Sequence, residues 1–192
     1  IPYLQLHEFE GLLFNNIQIF HDQVPKSDLI GITELKKTFA DYDNDGYRDL
    51  FIVTSKGIVI LKNNGDGTFS RIKQKTGLEN ITDGNKILVA DFDQDGDLDL
   101  YLACKGWNKF FRNNNDGTFT ENAKAMNLDA SAAGTTDMDY GDWDSDGDLD
   151  IAILTGDGSL QLLNNERHSK FKNIAGALQL QRPAYKGAAI AF

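Results

Sequence analysis

Cysteine is almost absent: Cys104 is the single one in 192 residues, so the chain can form no intrachain disulfide. It lies in the apolar stretch 98–104 and reads as a small buried hydrophobe, not a reactive thiol. Histidine is nearly as scarce. His7, His21 and His168 share no spacing and read as surface residues. No Gly-x-Ser-x-Gly, His-Glu-x-x-His or phosphate-loop pattern occurs. The Gly-Asp-Gly triplets at 65–67 and 156–158 are hairpin chemistry. Hydrolysis needs a nucleophile with an oriented base, or a metal with an open position, and neither pattern is visible. The chain is therefore not expected to be an enzyme. No apolar run approaches the roughly 18 residues needed to cross a bilayer, so no membrane insertion is expected. No secretory leader is visible and the first residue is Ile1, which suggests a processed chain or a piece of a longer one. Basic residues are outnumbered, 19 against 29 acidic, for a net charge of −10. That balance argues against nucleic acid or an anionic membrane surface as partner.

What the chain has is acid in three places. Fourteen of its 29 acidic residues fall in the windows 41–50, 91–100 and 142–151. Carboxylates packed so densely repel one another unless a cation neutralises them. The windows align without gaps as Asp41–Leu50, Asp91–Leu100 and Asp142–Ile151, each reading D-x-D-x-D-G-x-x-D. An Asn pair follows each loop, at Asn63-Asn64, Asn113-Asn114 and Asn164-Asn165. In two copies Asp-Gly-Thr-Phe comes next, at Asp66–Phe69 and Asp116–Phe119, and the third keeps only its Phe, Phe171.

Each repeat predicts four short strands. The first, before the loop, spans Lys36–Ala40, Lys86–Ala90 and Thr136–Gly141. The second spans Leu50–Thr54, Leu98–Cys104 and Leu149–Leu154, near-continuous apolar runs that suit strands buried on both faces. The third covers Ile58–Lys62, Lys109–Arg112 and Leu160–Leu163, and the fourth begins at Phe69, Phe119 and Phe171. Gly57, Gly106 and Gly156 mark the turns between strands two and three, and Asn/Asp-Gly turns join strands three and four. No segment shows a helical apolar period. Four antiparallel strands repeated at this period predict an all-β chain of β-propeller blades, because one blade cannot bury both faces alone. A sandwich or a stack of separate sheets is the alternative. The predicted division is 1–30 as strands two to four of a partial blade, then repeats at 31–80, 81–130 and 131–180, and a lone first strand at 181–192. The two terminal pieces would make one split blade.

The loops suit a hard divalent cation. Side chains at positions 1, 3 and 5 converge when the chain wraps round a point, and Gly46, Gly96 and Gly147 at position 6 permit that turn. The position-7 carbonyls of Tyr47, Asp97 and Asp148 can add a backbone oxygen. Asp49, Asp99 and Asp150 at position 9 can close the cage, with both oxygens. About six oxygen ligands without His or Cys favour calcium over magnesium and disfavour zinc. An EF-hand is excluded, since position 12 is Ile52, Leu102 or Ile153 rather than Glu, and strands replace the flanking helices.

These loops, the Asn-Asn-x-Asp-Gly-Thr-Phe turns and the fifty-residue spacing resemble FG-GAP/VCBS repeats, which build integrin-α-like β-propellers. The resemblance covers nearly all the chain. It implies one calcium between the first and second strands of each full blade. The implied ligands are Asp41, Asp43, Asp45 and Asp49; Asp91, Asp93, Asp95 and Asp99; and Asp142, Asp144, Asp146 and Asp150, with the carbonyls of Tyr47, Asp97 and Asp148. The terminal blades depart from the pattern by having no acidic loop, and the blades are fewer than is usual for the family.

The expected function is a calcium-stabilised binding or adhesion scaffold with a protein or glycan ligand; Trp107 and Tyr185 are candidate contacts, though core or edge packing is the first reading of each. The alternative is a non-catalytic accessory domain of a larger secreted enzyme. Extracellular calcium modules bind at about 10⁻⁴–10⁻³ M, so an extracellular, cell-surface or periplasmic address is expected. The split blade leaves self-association, or pairing with the rest of a larger propeller, as a further expectation.

Overall fold

The apolar runs that follow the acidic loops form the second strands of three sheets. A computed structural model describes residues 36–167 and 170–180. The predicted strands at 1–30 and 181–192, the three histidines and Tyr185 lie outside the described residues. Within them the chain is all-β, with three four-stranded antiparallel sheets and no helix. The first sheet holds β1 (Lys37–Ala40), β2 (Asp49–Thr54), β3 (Gly57–Asn63) and β4 (Phe69–Arg71). The second holds β5 (Gly84–Ala90), β6 (Asp99–Cys104), β7 (Lys109–Asn113) and β8 (Phe119–Glu121). The third holds β9 (Thr135–Gly141), β10 (Asp150–Thr155), β11 (Leu160–Asn165) and β12 (Phe171–Asn173). In each sheet the strands lie in chain order, so every connection is a hairpin.

All six residues of β2, β6 and β10 are buried. Paired on both edges and packed on both faces, these strands lose the alternation of a half-solvated strand. The outer strands β4, β8 and β12 have three residues each, begin with a buried Phe, and leave little free edge for another chain to pair with. Gly57 opens β3 at φ 125°, and a Cβ there would lie 2.7 Å from both Asn80 N and Leu78 O, so only glycine lets the following tail approach.

Predicted and observed strand ends agree to within one or two residues. One register differs. Leu50 faces Leu61 and Leu100 faces Phe111, but Ile151 faces Leu163, one residue further on. The extra residue sits in the turn Thr155–Ser159, closed by Thr155 N–H to Ser159 O at 2.9 Å. The structural equivalent of Asn63 and Asn113 is therefore Asn165, not Asn164.

The chain divides into two units, Ile1–Thr82 and Asp83–Phe192. In the first, Leu50, Phe51, Ile52, Ile60, Leu61 and Leu78 are buried, and Tyr42 packs edge-on against Phe51 at 6.0 Å. In the second, two sheets share one core: Phe92, Tyr101, Phe110, Met126 and Leu128 pack with Met138, Ile151, Ile153 and Phe171. Phe92 is fully buried, with its ring 5.6 Å from Tyr140 of the next sheet. The tail after β8 crosses to β12, where Phe171 N–H donates to Met126 O at 3.0 Å. Each buried Phe, Leu or Ile contributes about 1.5–3 kcal/mol, so this shared core is what holds the two sheets together. Cys104, at the end of β6, is buried as expected, and burial pushes its thiol up to about 11 despite nearby Lys109.

Candidate metal-binding loops

The three acidic loops fold alike because their own carboxylates organise the backbone. Position 1 accepts two N–H groups. Asp41 Oδ1 takes Asp45 N–H at 3.0 Å and its Oδ2 takes Gly46 N–H at 2.9 Å. Asp91 does the same with Asp95 and Gly96, and Asp142 with Asp146 and Gly147. Position 5 accepts the N–H of position 7, from Asp45 to Tyr47, Asp95 to Asp97 and Asp146 to Asp148. The turn is left-handed at Asn44, Gln94 and Ser145 and again at Gly46, Gly96 and Gly147, with φ between 89° and 93° at the glycines. A Cβ at position 6 would meet nothing, so glycine is needed there for its φ and not for space.

Position 9 departs from expectation. Asp49, Asp99 and Asp150 are fully buried beneath the loops, and both oxygens of each already accept a backbone N–H. Asp49 takes Tyr42 N–H at 3.2 Å and Asn63 N–H at 2.8 Å. Asp99 takes those of Phe92 and Asn113, and Asp150 those of Trp143 and Asn165. Position 9 thus also staples the loop to the end of the third strand, a role the spacing did not show. A carboxylate oxygen bonded to one N–H keeps a lone pair, so a one-oxygen contact still fits. Burial raises all three carboxyls, Asp49 to about 6 and Asp99 to about 7.

The same Asn completes the staple. Its Nδ2 donates to the position-8 carbonyl, from Asn63 to Arg48, Asn113 to Leu98 and Asn165 to Leu149. Sequence reasoning took the Asn pairs as turn residues only. Their constant spacing from the acidic loops was the available signal.

Carboxylate oxygens of Asp41, Asp43 and Asp45 lie within 4.8 Å of one another, as do those of Asp142, Asp144 and Asp146. In the second loop the converging set is Asp91, Asp93 and Asp99. Asp95 turns instead toward Arg112, whose Nη2 donates to its Oδ2 at 2.7 Å while Nε donates to Asp93 Oδ2 at 2.5 Å. Lys62 occupies the same place in the first loop, paired with Asp43 and, at 2.7 Å, with Asp45. Lys62 holds Asp45 below the ordinary carboxylate range, helped by the Tyr47 N–H. Asp93 is raised by burial, with Asp95 adding to it.

The residues fit a divalent cation. The donor sets are all carboxylate, and Asp93 Oδ1 is buried with no hydrogen-bond partner, on a side chain only 4% exposed. A buried, unpaired carboxylate oxygen is costly in the absence of a cation.

Position 7 differs between loops. The Tyr47 ring lies over Gly65, where a Cβ would come within 2.6 Å of it. Asp148 is buried and ties two blades together, accepting from Gln94 Nε2 and, at 3.2 Å, from Arg167 Nε. Neither contact was legible from spacing.

Two matches to the FG-GAP-like repeat, over residues 41–102 and 91–153, together span more than half of the chain. The chain belongs to the FG-GAP-like repeat family. Its three four-stranded sheets are blades of the β-propeller type, and each match runs from one acidic loop through the next. No curated protein matches the FG-GAP chain in sequence. A solved Agrocybe aegerita lectin that specifically recognises non-reducing terminal N-acetylglucosamine is similar in fold, with a TM-score of 0.50 and 21% identity. The likeness covers 72% of the FG-GAP chain and 37% of the lectin chain.

Proposed function

We propose that this chain is a non-catalytic binding scaffold, its blades braced by calcium in the three Asp loops. One observation carries the reading. The loops converge carboxylates without His or Cys, and one of them leaves a buried oxygen without a partner. Oxygen-only donors on a left-handed glycine turn suit calcium better than zinc, and the number of protein ligands suits it better than magnesium. Asp41, Asp43 and Asp45, then Asp91, Asp93 and Asp99, then Asp142, Asp144 and Asp146 would hold it, with the position-7 carbonyls completing each shell. Calcium there would neutralise carboxylates at the junction of the first and second strands. Such sites fill at about millimolar calcium, which supports a location outside the cell or in a periplasm.

The ligand would be a protein or a glycan. At the end of the second blade opposite its acidic loop, Trp107 is 55% exposed and would be a contact for it. The lectin's specificity makes glycans ending in N-acetylglucosamine the first probe. The test is thermal unfolding in excess chelator and in millimolar calcium, followed by a glycan array in calcium. A higher Tm in calcium and calcium-dependent glycan or protein capture are expected. An unchanged melting curve would remove the structural role of the metal.

A further inference from the structure

We propose that Lys62 and Arg112 are tethered counter-cations that compete with calcium in the first two loops, so that the Asp142 loop fills first. The proposal rests on the calcium reading above, and its test separates the two. Lys62 and Arg112 occupy one structural position, the third-strand residue just before the stapling Asn. In register, Lys62 faces Ser70 and Arg112 faces Thr120. Each cation spans positions 3 and 5 of its loop, which include two carboxylates of the first converging set, Asp43 and Asp45, and one of the second, Asp93. In the third blade that position is Asn164, and the cation has moved across the ladder to Lys172. Lys172 pairs with Glu166 at 3.1 Å instead. Arg167 approaches the loop but bonds the Asp148 carboxylate and the Asp146 carbonyl. Among the described residues, no Lys or Arg pairs with the carboxylate of Asp144 or Asp146.

The tethered groups are incomplete substitutes for a metal. Arg112 engages Asp93 Oδ2 yet leaves Asp93 Oδ1 buried and unpartnered. A divalent ion competes with two charge-assisted bonds in the first loop and with the one at Asp93 in the second, and in both it sits beside a positive charge. In the third loop Arg167 lies nearby, but among the described residues no Lys or Arg bonds the carboxylates of Asp144 or Asp146. Conversely, without calcium, Lys62 and Arg112 relieve the repulsion at positions 3 and 5 of their loops, and among the described residues no cation does so at Asp144 and Asp146. The three sites would then answer calcium in sequence, with the third blade the most dependent on it.

Trp143 makes this order visible. It occupies position 2 of the third loop, where the other loops carry Tyr42 and Phe92. The second tryptophan, Trp107, lies in the β6–β7 turn at the far end of its blade. Terbium luminescence excited through tryptophan therefore reports the third loop. On the full chain, calcium should displace that signal at lower concentration than calorimetry finds for the other two sites. Lys62→Met and Arg112→Met should each tighten one weaker site by about tenfold, and Asn164→Lys should weaken the third by a similar factor. In chelator the two Met variants should melt lower than the parent, yet gain more from calcium. A purely structural role would lower both curves alike. Calcium binding at three sites whose affinities ignore all three substitutions, or a third-loop signal displaced last, overturns the proposal and leaves the calcium reading intact. No calcium-dependent heat or terbium signal at all overturns both.

Discussion

The two ends of each blade obey different rules. At the end joining the first and second strands, the three loops repeat bond for bond: two N–H groups on position 1, one on position 5, two on position 9. At the other end, six residues and roughly 17 Å away along the second strand, the turns are unalike. Thr54–Gly57 is closed by its tail, Lys105–Asn108 carries an exposed Trp, and Thr155–Ser159 is one residue longer. Geometry is uniform where charge converges and varied where it does not, the contrast expected if the acidic end is structural and the other end receives the ligand, as proposed.

The largest expected effect is at the uniform end. Asp99→Ala leaves the buried N–H groups of Phe92 and Asn113 without an acceptor, which should cost about 2–4 kcal/mol of unfolding free energy. Thermal or urea unfolding should show the loss both with and without calcium. Asp99→Asn should rescue only part, because one amide oxygen cannot serve both donors. A full rescue would mean that neither the charge nor the second acceptor oxygen matters at position 9.

Next comes Gly57→Ala, at the variable end of the first blade. Its φ of 125° and the Asn80 and Leu78 backbone atoms 2.7 Å from a new Cβ predict about 1–3 kcal/mol of destabilisation. The loss should not depend on calcium, and a calcium-dependent loss would erase the distinction between the two ends. Asn165→Ala is expected to cost about 1–2 kcal/mol, since its Nδ2 also donates to Phe92 O at 3.0 Å across the two blades of the second unit. The smallest effect on stability is that of Trp107→Ala, within roughly 0.5 kcal/mol, because its side chain is more than half exposed. If this end receives the ligand, the same change should weaken glycan or protein capture clearly. Stable protein with unchanged capture would move the binding surface elsewhere.

Strand identity was legible because β2, β6 and β10 are apolar at almost every position, and only burial on both faces tolerates that. The acidic loops were legible because left-handed glycine and alternating Asp fix a wrapped turn by spacing alone. The role of Asp49, Asp99 and Asp150 was not, since a carboxylate suited to a metal is equally suited to two N–H groups. Which one it meets depends on where the third strand ends. The extra residue before β11 escaped notice for a similar reason. Asn164-Asn165 offers two matches to Asn63, and only the ladder shows that Asn165 is the one bonded to Asp150. The contact of Gln94 with the third loop joins residues 54 apart and leaves no periodic trace, whereas Lys62 and Arg112 recur at one position of the repeat but their partners do not follow from spacing alone.

Calorimetric titration of the metal-free chain with calcium tests the central claim most directly. The account predicts saturation at three ions per chain in the micromolar-to-millimolar range, falling to two with Asp142→Ala. Flat heats up to several millimolar calcium, or a stoichiometry that Asp142→Ala leaves unchanged, would contradict it.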